Sequence, residues 1–273
     1  MKVGVCDLKS ADFEKDLLKS VINTGFVVIT QHGIEDVVIK EAQKTWRAFF
    51  KREQIFKNLF VNGNNTNMGY KGMGTETAVG ANVADLKEFF HWRPGEDVPT
   101  DPRFATEVLY NKLEQLGMKI LSILEKQTRS NYVLECNQSS NTILRTLYYP
   151  ALKSFDGPSE GVRAAAHEDI NHITLLVAAT APGLQVKDLK GNWHDVPHEE
   201  NSITVNIGDM LALQSNGLYK STTHRVVNPP DESTDRISMP LFIHPHANVE
   251  LAPGYTAGQF LKERIDLIYG KKK

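Results

Sequence analysis

His167-Glu168-Asp169 is the triplet in this chain best suited to holding a metal. Side chains two apart on a β-strand point to one face, so His167 and Asp169 can share an ion while Glu168 turns away. The triplet alone carries little weight. A chain with nine His and 33 acidic residues contains about one His-x-Asp/Glu by chance. A second one, His198-Glu199-Glu200, sits between Pro197 and Asn201 in a segment that reads as a loop, where nothing aligns its side chains. The first differs in its company. Ile173-Thr174-Leu175-Leu176-Val177 continues as a strand-like run, and His224 downstream offers a third ligand. Two imidazoles and one carboxylate on ferrous iron leave room for a bidentate 2-oxo acid and O2.

Twelve residues beyond His224 comes Arg236-Ile237-Ser238. On a strand the guanidinium and the hydroxyl share a face, a pairing that suits a carboxylate, which arginine grips bidentately. Other histidines read as structural. His172 falls on the strand face opposite the triplet, and His244-Pro245-His246 reads as a loop pair because Pro245 ends a strand. Tyr148 reads as core if Tyr149 faces the site. Asn206-Ile207-Gly208-Asp209 reads as a tight turn in which Gly208 supplies an unusual backbone angle.

Helices dominate the first half and strands the second. Ser10 can cap a helix carrying Phe13, Leu17, Leu18, Val21 and Ile22, which Gly25 ends. Phe26 to Ile29 is a short buried strand, and Ile34 to Phe50 returns to helical spacing. Asn62 to Gly80, rich in Gly, Asn and Thr, reads as a loop, and a long helix is expected from about Pro102 to Arg129. After Asn141 the runs 142–149, 173–177, 184–186, 203–207, 210–214 and 237–243 read as short strands separated by turns, the texture of a sandwich or barrel. Residues 256–269 close the chain as an amphipathic helix.

Bulk properties narrow the class. The 273 residues are 41% hydrophobic and 23% charged, with net charge -2. That balance supports a sizeable core and argues against a nucleic-acid surface. Cys6 and Cys136 cannot build a disulfide framework or a four-cysteine zinc site. No run is long enough for a signal h-region or a membrane span, so a reducing cytoplasm is the expected location, with no membrane partner. The cationic Lys271–Lys273 tail reads as a solvated terminus. Nothing in the sequence sets an oligomeric state, and a monomer is compatible with it.

Taken together, these motifs resemble the iron(II)/2-oxoglutarate-dependent oxygenases, in their isopenicillin N synthase-like branch. Gly25-Phe26-Val27-Val28-Ile29-Thr30-Gln31-His32-Gly33-Ile34 is similar to that family's N-terminal segment, and Asp85-Leu86-Lys87-Glu88-Phe89-Phe90 to its next element. Leu144-Arg145 through Tyr148-Tyr149-Pro150, the 167–169 triplet with 173–176, and the segments 182–186, 205–209 and 215–221 match further signatures, which 224–226 and 236–238 complete. Leu147 stands where the family usually has Asn, Ala151 follows Pro150 where many members have a second Pro, and the Pro229–Asp235 loop is slightly long.

The resemblance implies a mainly β fold with flanking helices, a double-stranded β-helix (jelly roll). It implies a single oxygenase domain over 1–273: a helix-rich part (1–140), the jelly-roll core with the metal site (141–250) and a C-terminal helix (251–273). His167, Asp169 and His224 would ligate Fe(II), while Tyr149, Arg236 and Ser238 would hold 2-oxoglutarate. Such enzymes are dioxygenases that consume O2 and 2-oxoglutarate, release succinate and CO2, and hydroxylate, desaturate or cyclise a small organic molecule. By the same analogy Tyr70, Phe90, His91 and Phe242 would line the substrate pocket. Three alternatives stay open: an iron oxidase of the same fold that grips its substrate's own carboxylate, a zinc hydrolase, and a non-catalytic sensor.

Overall fold

The computed structural model describes residues 1–62, 67–75, 86–151, 163–228 and 233–268. Asp85, residues 229–232 of the 229–235 loop, Tyr269 and the 271–273 tail lie outside the described residues. In chain order the elements are β1 (Gly4–Asp7), α1 (Phe13–Thr24), β2 (Phe26–Thr30), α2 (Asp36–Phe50), α3 (Gln54–Lys57), β3 (Gly69–Lys71), β4 (Glu88–Trp92), α4 (Thr100–Leu124) and α5 (Tyr132–Cys136). Then come β5 (Ile143–Tyr149), β6 (Ala164–His167), β7 (Ile173–Val177), β8 (Leu184–Lys187), β9 (Trp193–Asp195), β10 (Ile203–Ile207) and α6 (Asp209–Gln214). The chain ends with β11 (His224–Val226), β12 (Arg236–Ser238), β13 (Pro240–Ile243), β14 (Glu250–Ala252), β15 (Tyr255–Thr256) and α7 (Ala257–Ile268). Among the described residues no helix is long and apolar enough to cross a membrane.

The major sheet runs β1-β2-β10-β7-β13-β5-β4-β3, with β12 also paired to β5, and the minor sheet runs β6-β11-β8-β9. These are the two sheets of a jelly roll. The two-residue side-chain period explains how the major sheet serves two purposes. Val27 and Ile29 of β2, Ile203, Val205 and Ile207 of β10, Ile173, Leu175 and Val177 of β7, and Leu241 and Ile243 of β13 all join one core with the helices. On the helix side that core takes Leu109, Leu113 and Ile120 of α4 and Trp46 of α2. Each such aliphatic side chain stabilises the fold by about 1.5–3 kcal/mol when fully buried. The alternate positions, Thr174, Thr204, Asn206 and Phe242, are thereby turned toward the minor sheet. A slip of one residue in register would reverse the assignment, so the apolar helix-facing set also fixes where the polar set points.

Four expectations are corrected. Residues 210–214 lie in α6, not in a strand, and Gly69–Lys71 forms β3 inside the stretch read as a loop. Helix α1 starts at Phe13 with Asp12 as its N-cap and no side-chain cap bond; Ser10 Oγ instead accepts the Asp12 N–H at 3.2 Å. Gly208 has φ −102°, which any residue adopts. Its requirement is space, because a Cβ there would stand 2.2 Å from the Asn171 carbonyl oxygen. That close approach lets the N–H groups of Gly208, Asp209 and Met210 donate to the carbonyls of His172, Asp169 and Asn171. The start of α6 thus clamps the turn that follows the His167-x-Asp169 triplet. Gly25 does end α1 as expected, with φ 71°.

Candidate metal centre

His167 is the last residue of β6 and His224 the first of β11, and the two are register partners. Asp169 lies two residues past β6, in the turn that α6 clamps. One ligand atom from each of the three lies within 4.8 Å of the others, the one such cluster found among the described residues. Asp169 Oδ1 is 3.8 Å from Nε2 of His167 and also 3.8 Å from Nε2 of His224. That is too long for a direct hydrogen bond, yet it is a gap that a cation with bonds of about 2.0–2.2 Å bridges.

The ring orientations suit a ligand role. His167 Nδ1–H donates to the Ala165 carbonyl at 2.8 Å and His224 Nδ1–H to the Thr222 carbonyl at 3.1 Å. A carbonyl only accepts, so the proton stays on Nδ1 and the Nε2 lone pair of each ring faces the shared space. Desolvation, then the neighbouring His224 ring 4.4 Å away, pushes the His167 pKa down to about 4, keeping it neutral as a ligand must be. Burial by itself raises the Asp169 pKa. The His224 and His167 rings and the bonds from Asn206 and Thr174 outweigh it, and the carboxyl is held below its ordinary range.

Two positioning residues escaped the sequence reading. Thr174 Oγ1 donates to Asp169 Oδ2 at 2.5 Å, and Asn206 Nδ2 donates to the same oxygen at 2.8 Å. Oδ2 is thereby occupied and Oδ1 is left for an ion. In sequence Asn206 reads only as part of a turn; its place on the polar side of β10, opposite Thr174 of β7, is the available signal. Asn206→Ala is expected to weaken ferrous binding by about 10- to 100-fold, measured by anaerobic titration. Unchanged affinity would show that the amide merely fills space.

Arg236 pairs with Tyr149 and Ser238 with Leu147 across β12 and β5. The Arg236 guanidinium carbon sits 5.3 Å from the Tyr149 ring centre. Only 2% of Arg236 is exposed; its Nε–H donates to the Ala181 carbonyl at 3.0 Å, and its Nη1 has no partner. Burial lowers its pKa, which Tyr149 opposes. A pocket lined by Leu176, Leu184, Val196, His198, Thr204 and Arg236 opens beside it. Apolar walls ending in a guanidinium with an unused N–H fit an aliphatic acid.

The expected substrate residues divide. His91 and Phe242 share the inward face with Arg145, whose Nε–H donates to His91 Nε2 at 2.5 Å and whose guanidinium lies 5.5 Å from the Phe242 ring centre. Tyr70 and Phe90 do not join them, which corrects the expectation. Phe90 is the register partner of Thr146, on the opposite side of β5 from Arg145. It packs on Trp46 and Phe49, while Tyr70 donates its hydroxyl to Glu88. Phe89 takes the inward place instead, its ring centre 4.7 Å from Arg145. Tyr148 stacks on Phe50 as core. His172 bonds Gln214, Glu168 accepts a bond from Thr223 away from the cluster, and His198 stays in a loop. His244 is buried whereas His246 reaches the Asn137 carbonyl, so they form no metal pair.

Comparison with known proteins agrees with this geometry. Residues 126–245 match the model of the 2OG-Fe(II) oxygenase superfamily, and residues 4–113 match that of the non-haem dioxygenase in morphine synthesis N-terminal region. An oxygenase structure from Shewanella oneidensis is 37% identical, with TM-score 0.87, covering 97% of this chain and 98% of that one. A full-length Neurospora crassa protein, solved in complex with alpha-KG, is 26% identical with TM-score 0.80, covering 96% and 94%. A flavonol synthase/flavanone 3-hydroxylase of Eustoma exaltatum is 30% identical, over 93% of this chain and 79% of its own length.

Proposed function

The chain belongs to the 2OG-Fe(II) oxygenase superfamily, and from that premise we propose that it oxidises a small organic molecule with O2, consuming 2-oxoglutarate and releasing succinate and CO2. The observation that carries this reading is a His-Asp-His donor cluster and a buried guanidinium with an unused N–H served by the same two strands: Thr174 and Asn206 bond Asp169, and Leu176 and Thr204, two residues away on β7 and β10, line the apolar-walled pocket of Arg236. His167, Asp169 and His224 would hold ferrous iron, whose contribution is O2 activation. Arg236, with Ser238 and the Tyr149 ring beside it, would take the distal carboxylate of 2-oxoglutarate. The ordinary family asparagine would add a polar group at 147; Leu147 instead packs with Phe89 and Tyr149, making that wall apolar.

On the inward face of β4, β5 and β13, Phe89 and Phe242 offer two aromatic rings around the Arg145 cation, which bonds His91. This suits a small, flat molecule carrying an acceptor or anionic group. We read the chain as one domain over 1–273 working in the cytoplasm on a free small molecule. The test is succinate release by the purified protein with Fe(II), 2-oxoglutarate and air. Slow release without substrate, stimulated by the right compound from a screen of flat carboxylates and heterocycles, is expected. Turnover with zinc in the absence of O2, or no 2-oxoglutarate consumption under any condition, would overturn the reading.

A further inference from the structure

Arg236 is not the only arginine enclosed at this end of the molecule. Arg163, immediately before β6, has no solvent exposure. One of its terminal nitrogens, Nη2, donates to the Thr234 carbonyl at 2.5 Å, while its Nε and Nη1 have no partner. Its guanidinium carbon lies 5.9 Å from the centre of the same Tyr149 ring that Arg236 approaches. Burial first, then the charge of Arg236, lowers its pKa. Asp235, the acid whose charge favours it, is already paired to Arg47 at 3.2 Å and Lys51 at 2.9 Å. No ion pair to either buried arginine occurs among the described residues.

Two guanidinium ions beside one ring in a water-poor site, with three unpartnered donor nitrogens between them, are costly by solvation alone and repel each other. Folding tolerates such an arrangement when an anion completes it. We propose that Arg163 is a second guanidinium for the distal carboxylate of 2-oxoglutarate, so that Arg163 and Arg236 hold the acid together beside the Tyr149 ring. This rests on the oxygenase reading above. The pairing of β6 with β11 shifts register between Ala164 and His167, so strand alternation does not relate Arg163 to the metal ligand; what brings it to Arg236 is their shared approach to the Tyr149 ring. A purely structural role, tethering the backbone at Thr234, needs only Nη2 and leaves the other donors unexplained.

The test compares binding of 2-oxoglutarate with that of 2-oxopentanoate, which keeps the 2-oxo acid but lacks the distal carboxylate. Both are titrated anaerobically into the Fe(II)-loaded protein, with the ligand-induced rise in Tm as a second readout. Arg163→Met is expected to weaken 2-oxoglutarate by about 10- to 100-fold, to leave 2-oxopentanoate unchanged, and to shrink the Tm rise given by the diacid. Arg163→Lys, which keeps the charge without the fork, should recover part of the loss. Equal weakening of both acids, or unchanged diacid affinity, would overturn the proposal while leaving the oxygenase reading in place. A wild-type protein that binds no 2-oxoglutarate would instead overturn both.

Discussion

Asp169→Asn is expected to abolish ferrous binding and succinate release while leaving the fold intact. The two carboxylate oxygens have separate tasks. Oδ2 accepts from Thr174 and Asn206, and Oδ1 faces the two imidazoles at 3.8 Å. An asparagine whose amide oxygen takes the Oδ2 place keeps both bonds and turns an NH2 toward the metal position. That group has no lone pair to offer and no charge to balance a dication. The loss should exceed the about 10- to 100-fold that outer hydrogen-bond changes produce. Metal content after anaerobic loading and a melting curve check the two halves of the claim, with Tm held within about 4 °C. Asp169→Ala is the blunter variant, because it also orphans two buried donors at about 1–3 kcal/mol each. Iron retained by Asp169→Asn at wild-type affinity would mean that the carboxylate serves the turn rather than the ion.

How far the site could be read from residues alone follows from which physical signal each part leaves. Strand alternation singled out His167 and Asp169, but only His167 lies on a strand: Asp169 falls in the turn beyond β6, and the apolar run 173–177 is β7 of the other sheet, which reaches Asp169 through Thr174. Arg236 and Ser238 were legible by the same alternation. The pairing of Tyr149 with Arg236 is a register fact between β5 and β12, which no local pattern encodes; the family resemblance supplied it. Residues 210–214 were misread because a five-residue apolar run satisfies strand and helix periods equally. The deciding force is tertiary: the first N–H groups of α6 bond the carbonyls of the metal-bearing turn. Tyr70 and Phe90 were misplaced for the same reason. An aromatic beside an inward His91 looks like a pocket residue until the register with Thr146 shows that alternation sends Phe90 to the helix layer. Arg163 left no signal, since one arginine four residues before a histidine is unremarkable until its burial is known.

Arg236→Ala should separate cosubstrate binding from metal binding. The guanidinium is 2% exposed, its Nε–H is committed to the Ala181 carbonyl and its Nη1 has no partner, so that terminal nitrogen is available to a carboxylate. Arg236 is not part of the donor cluster, and ferrous affinity should stay within a few fold of wild type. Removing one partner of a buried, hydrogen-bonded charge pair costs about 2–5 kcal/mol. At tenfold per 1.4 kcal/mol, the concentration of 2-oxoglutarate giving half-maximal succinate release should rise on the order of a hundredfold or more. Lysine at 236 keeps the charge but not the planar fork, so Arg236→Lys should fall between. If Arg163 shares the carboxylate, residual binding in Arg236→Ala should be lost on adding Arg163→Met, and the two effects should not simply add because both arginines hold one group. An unchanged 2-oxoglutarate requirement in Arg236→Ala would mean that the pocket beside it serves another ligand, and the distal carboxylate would have to be sought elsewhere around the His167, Asp169 and His224 cluster.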